Sequence, residues 1–85
     1  MIRREVPRQT VAMATLRKRS LQLAGHRTSI ALEPEFWQVL EEMARAHGAS
    51  LAGLVLRIDA ERGARPLASA CRVAALGFAR TQAPA

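Results

Sequence analysis

One short stretch governs what this chain can become. Residues 27–32, Arg-Thr-Ser-Ile-Ala-Leu, alternate between a side holding Thr28, Ile30 and Leu32 and a side holding Arg27, Ser29 and Ala31. A period of two with β-branched Thr and Ile is the pattern of a half-buried strand. Such a strand cannot stand alone, because its N–H and C=O groups need partners and even an isolated pair is marginal in water. The preceding Ser20-Leu21-Gln22-Leu23 alternates as well, which admits a second strand over 18–23, with Ala24-Gly25-His26 as a turn or bulge. Nothing else in the 85 residues reads as strand.

At Pro34 the hydrophobic period changes. Proline suits the first turn of a helix, and Glu35 favours the positive end of its dipole. Phe36, Val39, Leu40, Met43, Ala44 and His47 then recur at steps of three and four, with Glu41, Glu42 and Arg45 opposite, until Gly48 supplies a stop. Ser50 caps a second helix whose stripe is Leu51, Leu54, Val55 and Ile58, ending at Gly63. Pro66 opens a third, with Leu67, Cys71, Ala74 and Phe78 on one face. Val73 and Leu76 lie off that face, so this helix has a second surface to offer. The expected fold is mainly α with one short β ribbon.

Residues 1–17 read as a basic, mobile arm, 18–80 as the folding domain and 81–85 as a frayed tail. Without the arm, roughly 65 residues must fold, and a core that small seldom supplies more than ~3–5 kcal/mol. Two copies answer both difficulties. Their strands pair antiparallel across a two-fold axis, and the helices of both chains pack beneath. The shared core would hold Thr28, Ile30, Leu32, Phe36, Trp37, Leu40, Leu54, Val55 and Ile58, while Arg27, Ser29 and Ala31 face solvent.

Charge narrows the function. Residues 1–28 contain seven cations and one anion, +7 − 1 = +6, and residues 29–85 contain six arginines and six acids, +6 − 6 = 0. A basic end on a neutral body points to a polyanion. The lone Cys71 excludes an intrachain disulfide and a structural zinc site. Glu5, Pro7, Arg8 and Gln9 stand where a secretion signal needs its apolar run, and no stretch approaches the ~20 apolar residues of a membrane span. A cytoplasmic, nucleoid-associated protein is expected, with no membrane partner. No glycine-rich phosphate loop, carboxylate pair or nucleophile–base spacing appears, so neither an enzyme nor a cofactor or metal is expected.

The order strand, amphipathic helix, Gly-x-Ser turn, second helix resembles the ribbon-helix-helix family, the Arc- and MetJ-type DNA-binding proteins. The matching residues are 27–32, Leu40-Glu-Glu-Met-Ala-Arg-Ala-His-Gly48, and Ser50 before Leu51. Ala24-Gly-His-Arg-Thr-Ser29, Leu32-Glu-Pro-Glu-Phe-Trp37 and Ile58-Asp59 before Arg62-Gly63 resemble a bacterial subgroup with an added C-terminal helix. The resemblance covers residues 18–78. It implies an intertwined homodimer with an intermolecular antiparallel two-stranded sheet, inserted into the major groove of double-stranded DNA, in a repressor or autoregulator. Carried onto this sequence, Arg27, Ser29 and Ala31 become the base-contacting triplet, with Ala31 in place of the polar residue often found there. Gly48, Ala49 and Ser50 at the start of the second helix, with Lys18 and Arg19, become the phosphate contacts.

Other residues take plainer readings. His26 is a turn residue, His47 favours a helix C-terminus, Cys71 is a small core residue, and Trp37 packs inside the dimer. Two rival functions stay open. One is a protein-interaction module, antitoxin-like, gripping a protein partner through the third helix or the arm; the other is binding of the arm to anionic membranes.

Overall fold

The computed structural model describes residues 16–82; the arm as far as residue 15, and residues 83–85, lie outside the described part. Two strands, β1 (Arg17–Leu23) and β2 (His26–Leu32), precede three helices, α1 (Pro34–Ala46), α2 (Leu51–Glu61) and α3 (Leu67–Gln82). The two strands form one antiparallel sheet, with Leu23 opposite His26 at the turn and Arg17 opposite Leu32 at the far end. The second strand admitted by the sequence is therefore present. It supplies, within the same chain, the ladder partner that the sequence reading sought in a second copy. The cause is local: Ala24 and Gly25 have φ of 51° and 84°, the paired positive values of the tight type I′ hairpin that suits the twist of two strands.

The helix boundaries follow from their end chemistry. Pro34 sits in the first turn of α1. At its other end the Ala49 N–H donates to the Ala44 carbonyl at 2.9 Å and the Gly48 N–H to the Arg45 carbonyl at 3.1 Å. With Gly48 at φ +64°, this is the Schellman closure that satisfies the last carbonyls of a helix. Ser50 caps α2, its hydroxyl accepting from the Gly53 N–H at 3.0 Å. A Cβ on Gly53 would stand 3.1 Å from that oxygen, so glycine keeps the cap unhindered. Helix α3 continues through Gln82, two residues into the stretch read as tail.

One core joins all five elements. It comprises Leu23, Ile30 and Leu32 from the ribbon, Trp37, Leu40 and Ala44 from α1, Leu54, Val55 and Ile58 from α2, and Ala70, Cys71 and Ala75 from α3. The residues expected in a shared dimer core are thus buried inside one chain, except that Thr28 and Phe36 are half-buried. Helix α3 is why. Its small Ala70, Cys71 and Ala75 close the underside of a core too thin for two helices and a ribbon. Trp37 anchors the ribbon to the helices, 1% exposed, with its indole N–H donating to the Arg17 carbonyl at 2.9 Å.

Candidate nucleic-acid interface

Strand alternation sorts the ribbon into two faces. Directly opposed residues share a face, so the register sets Lys18 with Ala31, Ser20 with Ser29 and Gln22 with Arg27 on the side away from the helices. All six are exposed except the half-buried Ala31. The sequence-expected triplet Arg27, Ser29 and Ala31 therefore lies together on one outward face. Beside it run three residues of β1, two of which, Ser20 and Gln22, the sequence reading missed. The signal was there in Ser20-Leu21-Gln22-Leu23, whose polar members align with Arg27 and Ser29 once the turn is fixed at two residues. Among the described residues, Lys18, Gln22 and Arg27 have no side-chain partner, while Ser20 and Ser29 share a hydroxyl contact of 3.2 Å.

Lys18 and Arg19, grouped in the sequence as phosphate contacts, part company for the same reason. Arg19 faces inward over α1, donating to Glu41 at 2.7 Å with its guanidinium carbon 4.7 Å from the centre of the Trp37 ring. Its charge is engaged within the chain.

The open edges of the ribbon are as informative as its face. A two-residue turn makes Leu23–His26 a hydrogen-bonded pair, and such pairs alternate along the ladder. The N–H and C=O groups of Arg27, Ser29 and Ala31 then point to the outer edge of β2, where no backbone group among the described residues meets them. On β1 the corresponding edge belongs to Lys18, Ser20 and Gln22.

Electrostatics separates ribbon from body. Residues 17–32 carry Arg17, Lys18, Arg19 and Arg27 with no acid, a charge of +4. Residues 33–82 carry six arginines and six acids, +6 − 6 = 0. Within the body, Arg62 holds Asp59 at 2.6 Å and Arg72 holds Glu33 at 3.0 Å. The Glu33 carboxyl lies below the usual carboxylate range, first through its own backbone N–H and then through Arg72.

The start of α2 differs from expectation in one respect. The Gly48 and Ala49 N–H groups already close α1, so they are not donors for a phosphate. The Ser50, Leu51 and Ala52 N–H groups have no backbone partner among the described residues, while Gly53 and Leu54 are satisfied by Ser50. The donor set of this helix terminus is therefore shifted towards α2, with the Ser50 hydroxyl proton beside it.

The remaining candidates are structural. Cys71 is fully buried, and burial first, with Asp59 nearby, pushes its thiol above its ordinary pKa and away from reactivity. His47 meets Phe78 edge to face at 6.4 Å, joining the ends of α1 and α3. Among the described residues no cluster of three metal-ligating side chains occurs, and no helix is long and apolar enough to cross a membrane.

Three comparisons bear on this geometry. A family model described as Ribbon-helix-helix domain matches residues 16–78, from the first described residue through most of α3. The solved structure of an uncharacterized protein from Bordetella pertussis Tohama I is 38% identical, with a TM-score of 0.67, over 82% of this chain and 63% of that one. This chain thus spans less than two thirds of the length of that structure. No curated protein matches the sequence. The chain belongs to the ribbon-helix-helix domain family, whose members are generally DNA-binding, non-enzymatic transcription regulators that act as dimers.

Proposed function

We propose that this chain binds duplex DNA sequence-selectively as a homodimer, with its ribbon in the major groove, and regulates transcription as a repressor or autoregulator. The observation that carries the reading is the outward ribbon face: exposed, cationic, free of carboxylates, and unmatched by the body behind it. On that face Arg27 gives a bidentate contact to guanine O6 and N7, worth about 1–3 kcal/mol of discrimination. Ser29 donates or accepts to a neighbouring base, and Ala31 meets a thymine methyl. The Ser50 hydroxyl and the free N–H groups after it hold a phosphate at the flank, fixing register without reading sequence.

A dimer is supported by the open edge of β2. If a second copy runs antiparallel with Ser29 facing its own equivalent, Arg27 faces the copy's Ala31, so no like charges are opposed. The edge of β1, with Arg17, Lys18 and Arg19 in succession, is blunted by charge. Sedimentation of the free protein at micromolar concentration is expected to give twice the 9.3 kDa chain mass; a monomer would contradict the dimer.

Selection of duplexes from a random pool at near-physiological salt tests the function. The reading predicts enrichment of a short repeat; recovery of an unbiased pool would sink it. A second reading, a protein-interaction module, is favoured by Val73 and Leu76, 50% and 55% exposed on α3. A stoichiometric protein partner that survives nuclease treatment, and is lost in Leu76→Lys, supports it.

A further inference from the structure

We propose that β1 grips the sugar–phosphate walls of the groove while β2 reads the bases, so the DNA-facing surface is a four-stranded sheet with a division of labour between its strands. The inference rests on the DNA-binding dimer proposed above. Within the chain, β2 is already paired on one edge with β1. Pairing its open edge with a second copy therefore gives the order β1, β2, β2, β1, rather than a bare two-stranded ribbon.

Width decides what each strand meets. Neighbouring strands lie about 4.8 Å apart, so the two central strands span about 5 Å and the two outer ones about 14 Å. The major groove is roughly 12 Å wide and admits a two-stranded ribbon. The pair of β2 strands enters; the β1 strands come down over the phosphates on either side.

The chemistry of β1 fits that position. Its outward side chains are Lys18, Ser20 and Gln22, one cation and two neutral donors, with no carboxylate and no large apolar group. All three donate hydrogen bonds, and phosphate oxygens only accept. Lys18 stands opposite Ala31 and Gln22 opposite Arg27, so each end of the reading triplet has a donor beside it on the wall. A lysine is a point charge on a flexible stem, suited to a phosphate whose exact place varies with sequence.

Salt-dependent binding separates gripping from reading. Lys18→Ala and Gln22→Ala are compared with the unaltered dimer on a duplex selected as above and on a random duplex, across a range of salt concentrations. Loss of two Lys18 charges per dimer is expected to flatten the plot of log affinity against log salt by about 1.8, from ~0.9 per phosphate. Affinity should fall by the same factor on both duplexes, on the order of tenfold. Gln22→Ala should weaken both duplexes equally, by less, with no change in slope. Preferred bases in a repeated selection should be unaltered for both variants.

A changed base preference in either variant would mean that β1 sits inside the groove, and would overturn the division. So would an unchanged salt slope for Lys18→Ala. Both outcomes leave the DNA-binding reading standing, since Arg27→Ala would still reduce the preference for the selected duplex. Should the unaltered protein enrich no sequence, the reading itself fails and the division of labour falls with it.

Discussion

In the hairpin, residues 17–32, four cations stand without a carboxylate, whereas the helical body, residues 33–82, carries six charges of each sign. Within the body two of the six arginines are paired, Arg62 with Asp59 and Arg72 with Glu33, in half-exposed pairs of the kind worth about 0–1 kcal/mol. In the hairpin, alternation sets Arg17 and Arg19 on the helix-facing side and Lys18 and Arg27 on the outward side, and among the described residues only Arg19 pairs with a carboxylate, that of Glu41. Charge in the body is balanced, while Lys18 and Arg27 stand exposed with no carboxylate partner among the described residues. The two regions differ in charge but share one core, so a surface substitution can be aimed at one alone, whereas a core substitution reaches both.

The sharpest way to break the separation is at the joint. Trp37→Ala removes the largest buried side chain and the indole bond to the Arg17 carbonyl. Chemical denaturation should register a loss of about 3–5 kcal/mol, with hairpin and helices unfolding together. A folded body with a melted ribbon would show that the two regions are independent units.

Next come the turn residues, which tune the ribbon alone. Gly25→Ala places a side chain at φ +84° with open space around it, so backbone strain of about 1–2 kcal/mol should appear as lost stability. Ala24→Asn works in the opposite direction. It creates Asn-Gly, the preferred pair for two successive positive φ values, and should raise the melting temperature. Equal melting temperatures for the two variants would argue against the hairpin as drawn.

Smaller still is the cap of α2. Ser50→Ala leaves the Gly53 N–H without its acceptor and should cost about 1 kcal/mol of stability. It should also weaken DNA binding evenly across sequences, because a phosphate contact carries no sequence information. An altered base preference in Ser50→Ala would contradict that role.

The smallest effect is the acid response of the body. The Glu33 carboxyl has its pKa lowered by its own backbone N–H and by Arg72. Its ionised form is therefore favoured by folding, so its contribution is present above the ordinary carboxylate pKa near 4.5 and lost as pH falls through the lower folded value. Glu33→Gln should leave stability at neutral pH slightly lower and flatten the acid limb of a pH titration. An acid limb identical to that of the unaltered protein would remove Glu33 from the account.

Much of this fold is legible in the sequence because its boundaries are set by local chemistry. Pro34, Gly48, Ser50 and Gly63 mark helix ends that backbone sterics and capping impose wherever they occur, and the structure puts ends beside each of them. The partner of β2 was less legible. Alternation in Ser20-Leu21-Gln22-Leu23 indicates a strand, but only the positive φ of Ala24, unusual for a residue with a Cβ, closes the turn in two residues. Had the loop been one residue longer, the outward and inward sets of β1 would have exchanged.

The site shows the same division. Arg27, Ser29 and Ala31 share a face by periodicity alone. That Arg19 turns inward while Lys18 turns outward depends on the register. That Gly48 and Ala49 lack free N–H groups depends on a helix closure that sequence spacing does not reveal.

The central claim is that the outward ribbon face reads DNA, and Arg27 tests it most directly. Competition binding of the unaltered protein and Arg27→Ala, on selected and random duplexes at one salt concentration, should show the selected duplex losing about 1–3 kcal/mol of its advantage. Circular dichroism and molar mass should stay the same, because Arg27 is exposed and has no partner among the described residues. An Arg27→Ala protein that still prefers the selected duplex by the original factor would contradict the claim.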